Sequence, residues 1–426
     1  MAPAGYRTGY GRASLAVPVP GGFMSVVAHS SRRAVLTGLA GTVAGCAATP
    51  PVPLAAGFAP RRIAPILMEP ERIIRITVCT RPFRPAGPRL DVETVGESRV
   101  VHNYGHGGSG WSLSWGSSAI AARKAMALAG VAGGPPVVAV IGSGALGLTS
   151  ALQLQRMGAR VTIYARERAA FTRSMRATGS WTPDSRIADA DRVSAEFPAL
   201  WEQMARETYA THQTYLGTEG DPVVFSDRYI LSGAADLPRT AEPPPIRTAP
   251  GVKPIRFAEY RLDGLAPRSF PLPVSASPFP VRETRMVSAM QFNVAELAHR
   301  LETEFLSQGG RIETRTFNAP AELTTLPEKI VVNCTGYGAK ALFEDKDLIP
   351  VRGQIAWLAP QPEANYGLHF RGVTVLSRPD GIVVQATRND MNGVGVDDET
   401  PDRAEANATI GLVAPLFPSI RRLSSG

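Results

Sequence analysis

Cysteine is nearly absent from this chain: three in 426 residues, at positions 46, 79 and 334. That scarcity excludes a disulfide-stapled scaffold and a cysteine-rich metal cluster. Cys79 and Cys334 lie in apolar, strand-like surroundings, which predicts free buried thiols and not a pair. Basic residues are nowhere interleaved with aromatics, so no nucleic-acid partner is expected. The apolar run at 34–45 is too short for a permanent membrane-spanning helix. No internal repeat is visible. Acidic residues are almost missing from one region only. Residues 1–69 hold six Arg and a single acid, Glu69, which leaves just +3 of the formal net charge of +8 for the rest of the chain. With 44% hydrophobic and 19% charged residues, the composition is that of a globular protein. The length allows two domains.

The basic N-terminus has the pattern of an export signal. Ser31-Arg32-Arg33-Ala34-Val35-Leu36 is a twin-arginine string, followed by the weakly apolar stretch. Val43-Ala44-Gly45-Cys46 resembles a lipobox, whose cysteine is lipidated and becomes the new N-terminus. On this reading residues 1–46 are the signal, with Met24 as a candidate start. The Pro/Ala-rich stretch 47–69 is a tether. The expected destination is the periplasm, free or membrane-anchored through Cys46; without a working signal the protein would be cytoplasmic.

Val137-Val138-Ala139-Val140-Ile141 is a short β-branched run fit for a buried parallel strand. Gly142-Ser143-Gly144-Ala145-Leu146-Gly147 follows, then a helical stretch at 148–157 and a second strand at 160–164. This is a strand-turn-helix-strand unit of the length used to bind an adenine dinucleotide. Gly142 permits the tight turn, Gly144 lets the backbone approach a pyrophosphate, and Gly147 lets helix and strand pack closely. The helix N-terminus carries partial positive charge toward the phosphates. The acidic residue usual at the end of the second strand is missing. Ala165 stands there, with Arg166 and Glu167 after it; Glu167 could substitute toward the ribose, whereas Arg166 keeps an NADP reading open.

A second glycine-rich loop precedes this unit: His102-Asn103-Tyr104-Gly105-His106-Gly107-Gly108-Ser109-Gly110-Trp111. Its two histidines are four apart, but the glycines between 105 and 110 argue against the regular helix that a metal pair would need, so no metal is expected. Elsewhere, 73–78 alternates as a strand, 115–129 is an Ala-rich helix, and 238–280 is Pro-rich loop with edge strands. Residues 293–307 form an amphipathic helix, 329–336 a buried strand entering a glycine turn, and 350–390 a set of antiparallel strands.

Residues from about 70 to 390 resemble the D-amino-acid oxidase family of FAD enzymes. The resemblance is carried by Val101 to Gly110, Trp115-Gly116, Arg81-Pro82-Phe83-Arg84-Pro85 and the GxGxxG unit. Thr178-Gly179-Ser180-Trp181-Thr182-Pro183, Val332-Asn333-Cys334-Thr335-Gly336 and Arg352-Gly353-Gln354 add to it. It implies an α/β fold: a Rossmann-like FAD-binding domain (70–230 and 291–345) with a mixed antiparallel-sheet substrate domain (231–290 and 346–420).

The resemblance also implies site roles. Gly107, Gly108, Ser109, Gly110, Trp111 and Ser112 would present backbone N–H groups and a helix N-terminus to the flavin ring. There, positive potential favours the negative charge that reduction places on the ring. Gly142 to Gly147 (Gly142, Ser143, Gly144, Ala145, Leu146, Gly147) would take the pyrophosphate. Thr172 and Ser174 would supply hydroxyls to the phosphates, Gly179 and Ser180 would touch the cofactor, and Thr335 and Gly336 its adenosine side. Arg81 matches the family's carboxylate-binding arginine, and a planar guanidinium grips a carboxylate with two parallel hydrogen bonds. Arg84 is expected to be structural.

The activity implied is FAD-dependent oxidation of a D-amino acid to an imino acid, which hydrolyses to a 2-oxo acid and ammonia. Oxygen, giving hydrogen peroxide, or another electron acceptor would take the electrons. Oxidation of an N-substituted glycine or another amine, and flavin binding without turnover, stay open. Two departures stand out. The family's active-site tyrosines should fall in 367–374, where there is none; Tyr366 lies just before, and His369 or Phe370 holds the position. The arginine and His-Asn-Tyr-Gly motifs precede the GxGxxG unit instead of following it, so the chain reads as a circular permutation. That reading predicts that residues near 70 and 420 are neighbours.

Overall fold

The computed structural model describes residues 62–418 and 420, apart from 131–133, 234–236, 239 and 388. The twin-arginine string, Met24, Cys46, most of the tether and Arg421-Arg422 lie outside the described residues. In chain order the elements begin with β1 (Ile73–Phe83), β2 (Val92–Val95), β3 (Ser98–His102), α1 (Gly110–Ala129), β4 (Val137–Ile141), α2 (Ala145–Arg156) and β5 (Arg160–Ala165). Then come α3 (Phe197–Gln213), β6 (Val223–Ser232), β7 (Phe270–Leu272), β8 (Glu283–Phe292), α4 (Val294–Ser307), β9 (Arg311–Thr314) and β10 (Ile330–Asn333). The chain closes with α5 (Ala339–Leu342), β11 (Ile349–Leu358), β12 (Tyr366–Phe370), β13 (Val373–Arg378), β14 (Gly381–Ala386) and α6 (Arg403–Val413).

Two mixed sheets organise these elements into an α/β fold. The six-stranded sheet runs β2-β3-β10-β4-β5-β9. Its strands from β3 to β9 are parallel, and β2 is antiparallel at the edge. The apolar run of β4 explains its central place, because Val138, Ala139 and Val140 are fully buried there. Helices α1, α2 and α4 cover one face in a single core cluster. Ala121, Ala122 and Ala125 of α1 meet Leu148, Ala151 and Leu152 of α2 in that cluster, and small residues let the two helices lie close.

The eight-stranded sheet runs β1-β11-β14-β13-β12-β6-β8-β7. All its pairings are antiparallel except β12 with β6. Both β1 and β6 belong to this larger sheet, whereas the range 70–230 was expected to serve the dinucleotide domain. Strand β1 also outruns the six residues expected of it and continues through Arg81-Pro82-Phe83. It can do so because it is an edge strand, where the missing N–H of Pro82 breaks no ladder on its free side; Pro82 faces Pro350 in register. Helix α1 starts at Gly110, five residues before the expected Trp115. Burial of Trp111, Leu113 and Trp115 outweighs the poor helix propensity of Gly110. Helix α2 likewise starts at Ala145, directly off the glycine turn.

Candidate active site

The glycine turn after β4 is built as its spacing demands. Gly142 has φ +100, a left-handed conformation that a side chain resists, and an added Cβ would stand 2.6 Å from the Cys334 carbonyl of the adjoining β10 turn. An added Cβ on Gly147 would stand 2.0 Å from the Gly142 carbonyl, so α2 sits directly against its own turn. Ser174 joins this turn to the second loop. Its Oγ accepts the Ala145 N–H at 3.0 Å, and its carbonyl accepts the Trp111 indole N–H at 2.9 Å. The Thr172 hydroxyl donates to the Ala169 carbonyl at 2.8 Å.

Helix α1 begins beside it. No acidic side chain occupies its first turn, so its N-terminal positive potential is not cancelled locally. The Ser112 Oγ accepts the Thr182 N–H at 2.8 Å. The imidazole of His106 is buried with neither nitrogen bonded to a protein group among the described residues. Burial pushes its pKa down to about 3, so the ring is neutral. His102, by contrast, is held by Glu93 at 3.1 Å and Asn333 at 3.1 Å, which separates the two histidines in role.

One cavity of about 750 Å³ runs between the sheets and collects these parts. Arg81, Gly107, Gly108, Gly110, Trp111 and Ser112 line it, as do Gly142, Ser143, Gly144, Ala145 and Leu146. So do Thr172, Ser174, Gly179, Ser180, Thr335 and Gly336. Two expected contacts do not line it. Ser109 is buried beneath, its Oγ donating to the Ser185 carbonyl at 3.1 Å, and Gly147 is packed under the turn. Both support the wall and do not form it.

Arg81 projects from β1 across β11. An added Cβ on Gly353 would stand 2.2 Å from Arg81 Nη2, so the guanidinium lies directly over that glycine. No carboxylate lies within 4 Å of Arg81 among the described residues. Arg84 pairs with Asp345 at 3.0 Å and stands outside the cavity. Arg166 pairs with Glu167 at 2.7 Å, both side chains exposed to solvent. Thr374 of β13, Gln385 of β14 and Thr387 just beyond it also line the cavity, and nothing in the sequence pattern marks them. The tyrosine question resolves against a cavity role. Tyr366 is buried on the other face of the sheet, its hydroxyl donating to the Ala64 carbonyl at 2.9 Å, and Phe370 shares that core. Cys79 and Cys334 are free and buried.

Fold and site together define an α/β protein with a dinucleotide-type glycine turn and a second glycine loop opening on the same cavity. The profile of the family described as DAO, FAD dependent oxidoreductase, matches residues 138–426, and the chain belongs to that family. FAD is its cofactor. The residues present fit it: two helix N-termini, a turn closed to side chains and an unpartnered buried imidazole open on one cavity. A D-amino-acid oxidase of Streptomyces coelicolor is 30% identical over 220 residues, 51% of this chain and 58% of that protein. One of Rubrobacter xylanophilus is 48% identical over 62 residues, 14% of this chain and 18% of that protein. The chain thus spans little more than half the length of the first of these relatives. Among solved structures, iminodiacetate oxidase from Chelativorans sp. BNC1 covers 66% of this chain and 79% of its own, with 15% identity and a TM-score of 0.43.

Proposed function

We propose that the protein oxidises D-amino acids to imino acids, which hydrolyse to 2-oxo acids and ammonia, with oxygen or another acceptor taking the electrons. The observation that carries this reading is Arg81: a guanidinium with no carboxylate partner among the described residues, in the same cavity as both glycine loops. When bound, FAD would supply the hydride-accepting chemistry. The protein's own contribution is position. Arg81 grips the α-carboxylate through two parallel hydrogen bonds and fixes the Cα–H direction. Gly353 leaves the guanidinium room. The N-termini of α1 and α2 and the Gly107–Gly108 backbone hold the cofactor, and the cavity walls limit water. The purified protein with FAD is expected to turn over D-amino acids in a peroxide or dye-reduction assay. Absence of turnover with every D-amino acid would reject the reading, and turnover of an N-substituted glycine alone would replace it.

We further propose that the chain is a circular permutation of the family order. The family profile begins at residue 138, at the head of β4, and leaves β1 to α1 before it. Ile420 shares a core cluster with Ile63, Ile66 and Met68, which supports the same reading. Export through the twin-arginine string and lipidation at Cys46 remain part of the proposal. A Cys46→Ala variant that still partitions with membranes would count against the anchor.

A further inference from the structure

We propose that Arg186 is a second anion anchor beside Arg81, and that the substrate is a dicarboxylic amino acid whose side-chain acid it binds. The inference rests on the reading of the cavity as an amino-acid oxidase site. It begins from the charges in the wall. Most of the arginines there are already matched. Arg173 and Arg176 share Glu399, while Arg247 and Arg352 share Glu405. Among the described residues Arg81, Arg186 and Arg315 share no such carboxylate, and Arg315 is held instead by the Thr325 hydroxyl and the Phe317 ring. The one carboxylate near Arg186, Asp390, lies 3.5 Å away with its side chain 70% exposed to water, where an ion pair is weak. Arg186 Nε donates to the Asp390 carbonyl at 2.8 Å and Nη2 to the Asn389 carbonyl at 3.4 Å. These bonds aim the guanidinium and leave Nη1 without a protein acceptor among the described residues.

The backbone segments that carry the two arginines both pack against Gly107. The Gly107 N–H donates to the Pro82 carbonyl, next to Arg81, at 2.8 Å. On its other side, an added Cβ on Gly107 would stand 1.8 Å from the Arg186 carbonyl. Both residues line the same cavity. Arg186 also holds φ +48, a conformation uncommon for a residue with a side chain and maintained here by the packing of the flavin loop. Burial and the charge of Arg81 lower its pKa to about 10, the electrostatic signature of cations that lack sufficient counter-charge. A substrate with one carboxylate satisfies Arg81 alone. A substrate with two satisfies both, and the dense packing of the loop fixes the spacing between them.

The test titrates the full-length, FAD-loaded protein with succinate and with butyrate, which match in length and differ by one carboxylate. Binding is read from the flavin absorbance at constant ionic strength, in parallel with turnover of D-aspartate, D-glutamate, D-asparagine and D-alanine. Succinate should bind about tenfold or more tightly than butyrate, as one added charge-assisted contact implies. The preference should collapse in Arg186→Met and be partly kept in Arg186→Lys. Equal binding of the two acids by the unaltered protein would overturn the proposal, as would an unchanged preference in Arg186→Met. Faster turnover of D-alanine than of D-aspartate would overturn it too, while leaving amino-acid oxidation intact. A strong succinate preference with no turnover of any amino acid would instead keep the double anchor and remove the oxidase reading.

Discussion

The role proposed for Arg81 depends on its neighbour Gly353 as much as on its own charge. Arg81→Ala should raise KM for a D-amino acid by roughly 100-fold or more while the flavin absorbance persists. Gly353→Ala keeps the arginine but puts a methyl 2.2 Å from Nη2. The guanidinium must shift, and the same kinetics should show a rise in KM of the order of tenfold. If Gly353→Ala behaves as the unaltered enzyme, the placement of Arg81 is wrong. The arginine could be read from the sequence because it stands in a distinctive Arg-Pro-Phe-Arg-Pro string. Arg186 could not, since its importance comes from a cavity wall assembled by distant segments and no local pattern announces that. Phe370 shows the opposite failure: it is one of the two residues expected at the family's tyrosine position, but strand alternation turns it into the same core as Tyr366.

At the scale of elements, the β4–α2 turn, proposed to hold the cofactor, leaves no room for added volume at Gly142 or Gly147. Gly147→Val would drive a side chain into the Gly142 carbonyl. The expected product is a folded or partly folded protein purified without yellow colour, checked by the flavin spectrum against the circular dichroism. A variant that retains a full complement of FAD would contradict the geometry. This unit was legible because strand, glycine spacing and helix follow each other within thirty residues. Helix α1 was legible in its Ala-rich body but not at its start. Gly110 looks like loop by propensity, and only burial of Trp111 and Leu113 makes it helix. The order of strands in the larger sheet, where β1 pairs with β11 and β12 with β6, was not legible, because those pairings join residues hundreds of positions apart.

The molecule as a whole should be sensitive to acid. Burial pushes the pKa of His106 to about 3 and that of His212 to about 4, both below the value of about 6.5 in an unfolded chain. Their neutral forms therefore support the fold fully above pH 6.5, and that support is lost as the pH falls toward the folded values. Each unfolded-state proton costs about 1.4 kcal/mol per pH unit in that window. The Tm should fall steadily between pH 6.5 and 4.5, and a flat profile would contradict the burial of these rings. Chain order is a property at this scale too. A chain re-linked from Ile420 to Ile63 and opened ahead of Val137 is expected to fold and bind FAD, because a permuted fold tolerates exchange of its ends. Loss of FAD binding in that chain would argue against permutation. The most direct measurement of the central claim is anaerobic addition of D-amino acids, neutral and acidic, to the FAD-loaded protein. The flavin band near about 450 nm that the bound cofactor provides should bleach with a D-amino acid and not with its L-enantiomer. A band that persists with every D-amino acid would contradict the account.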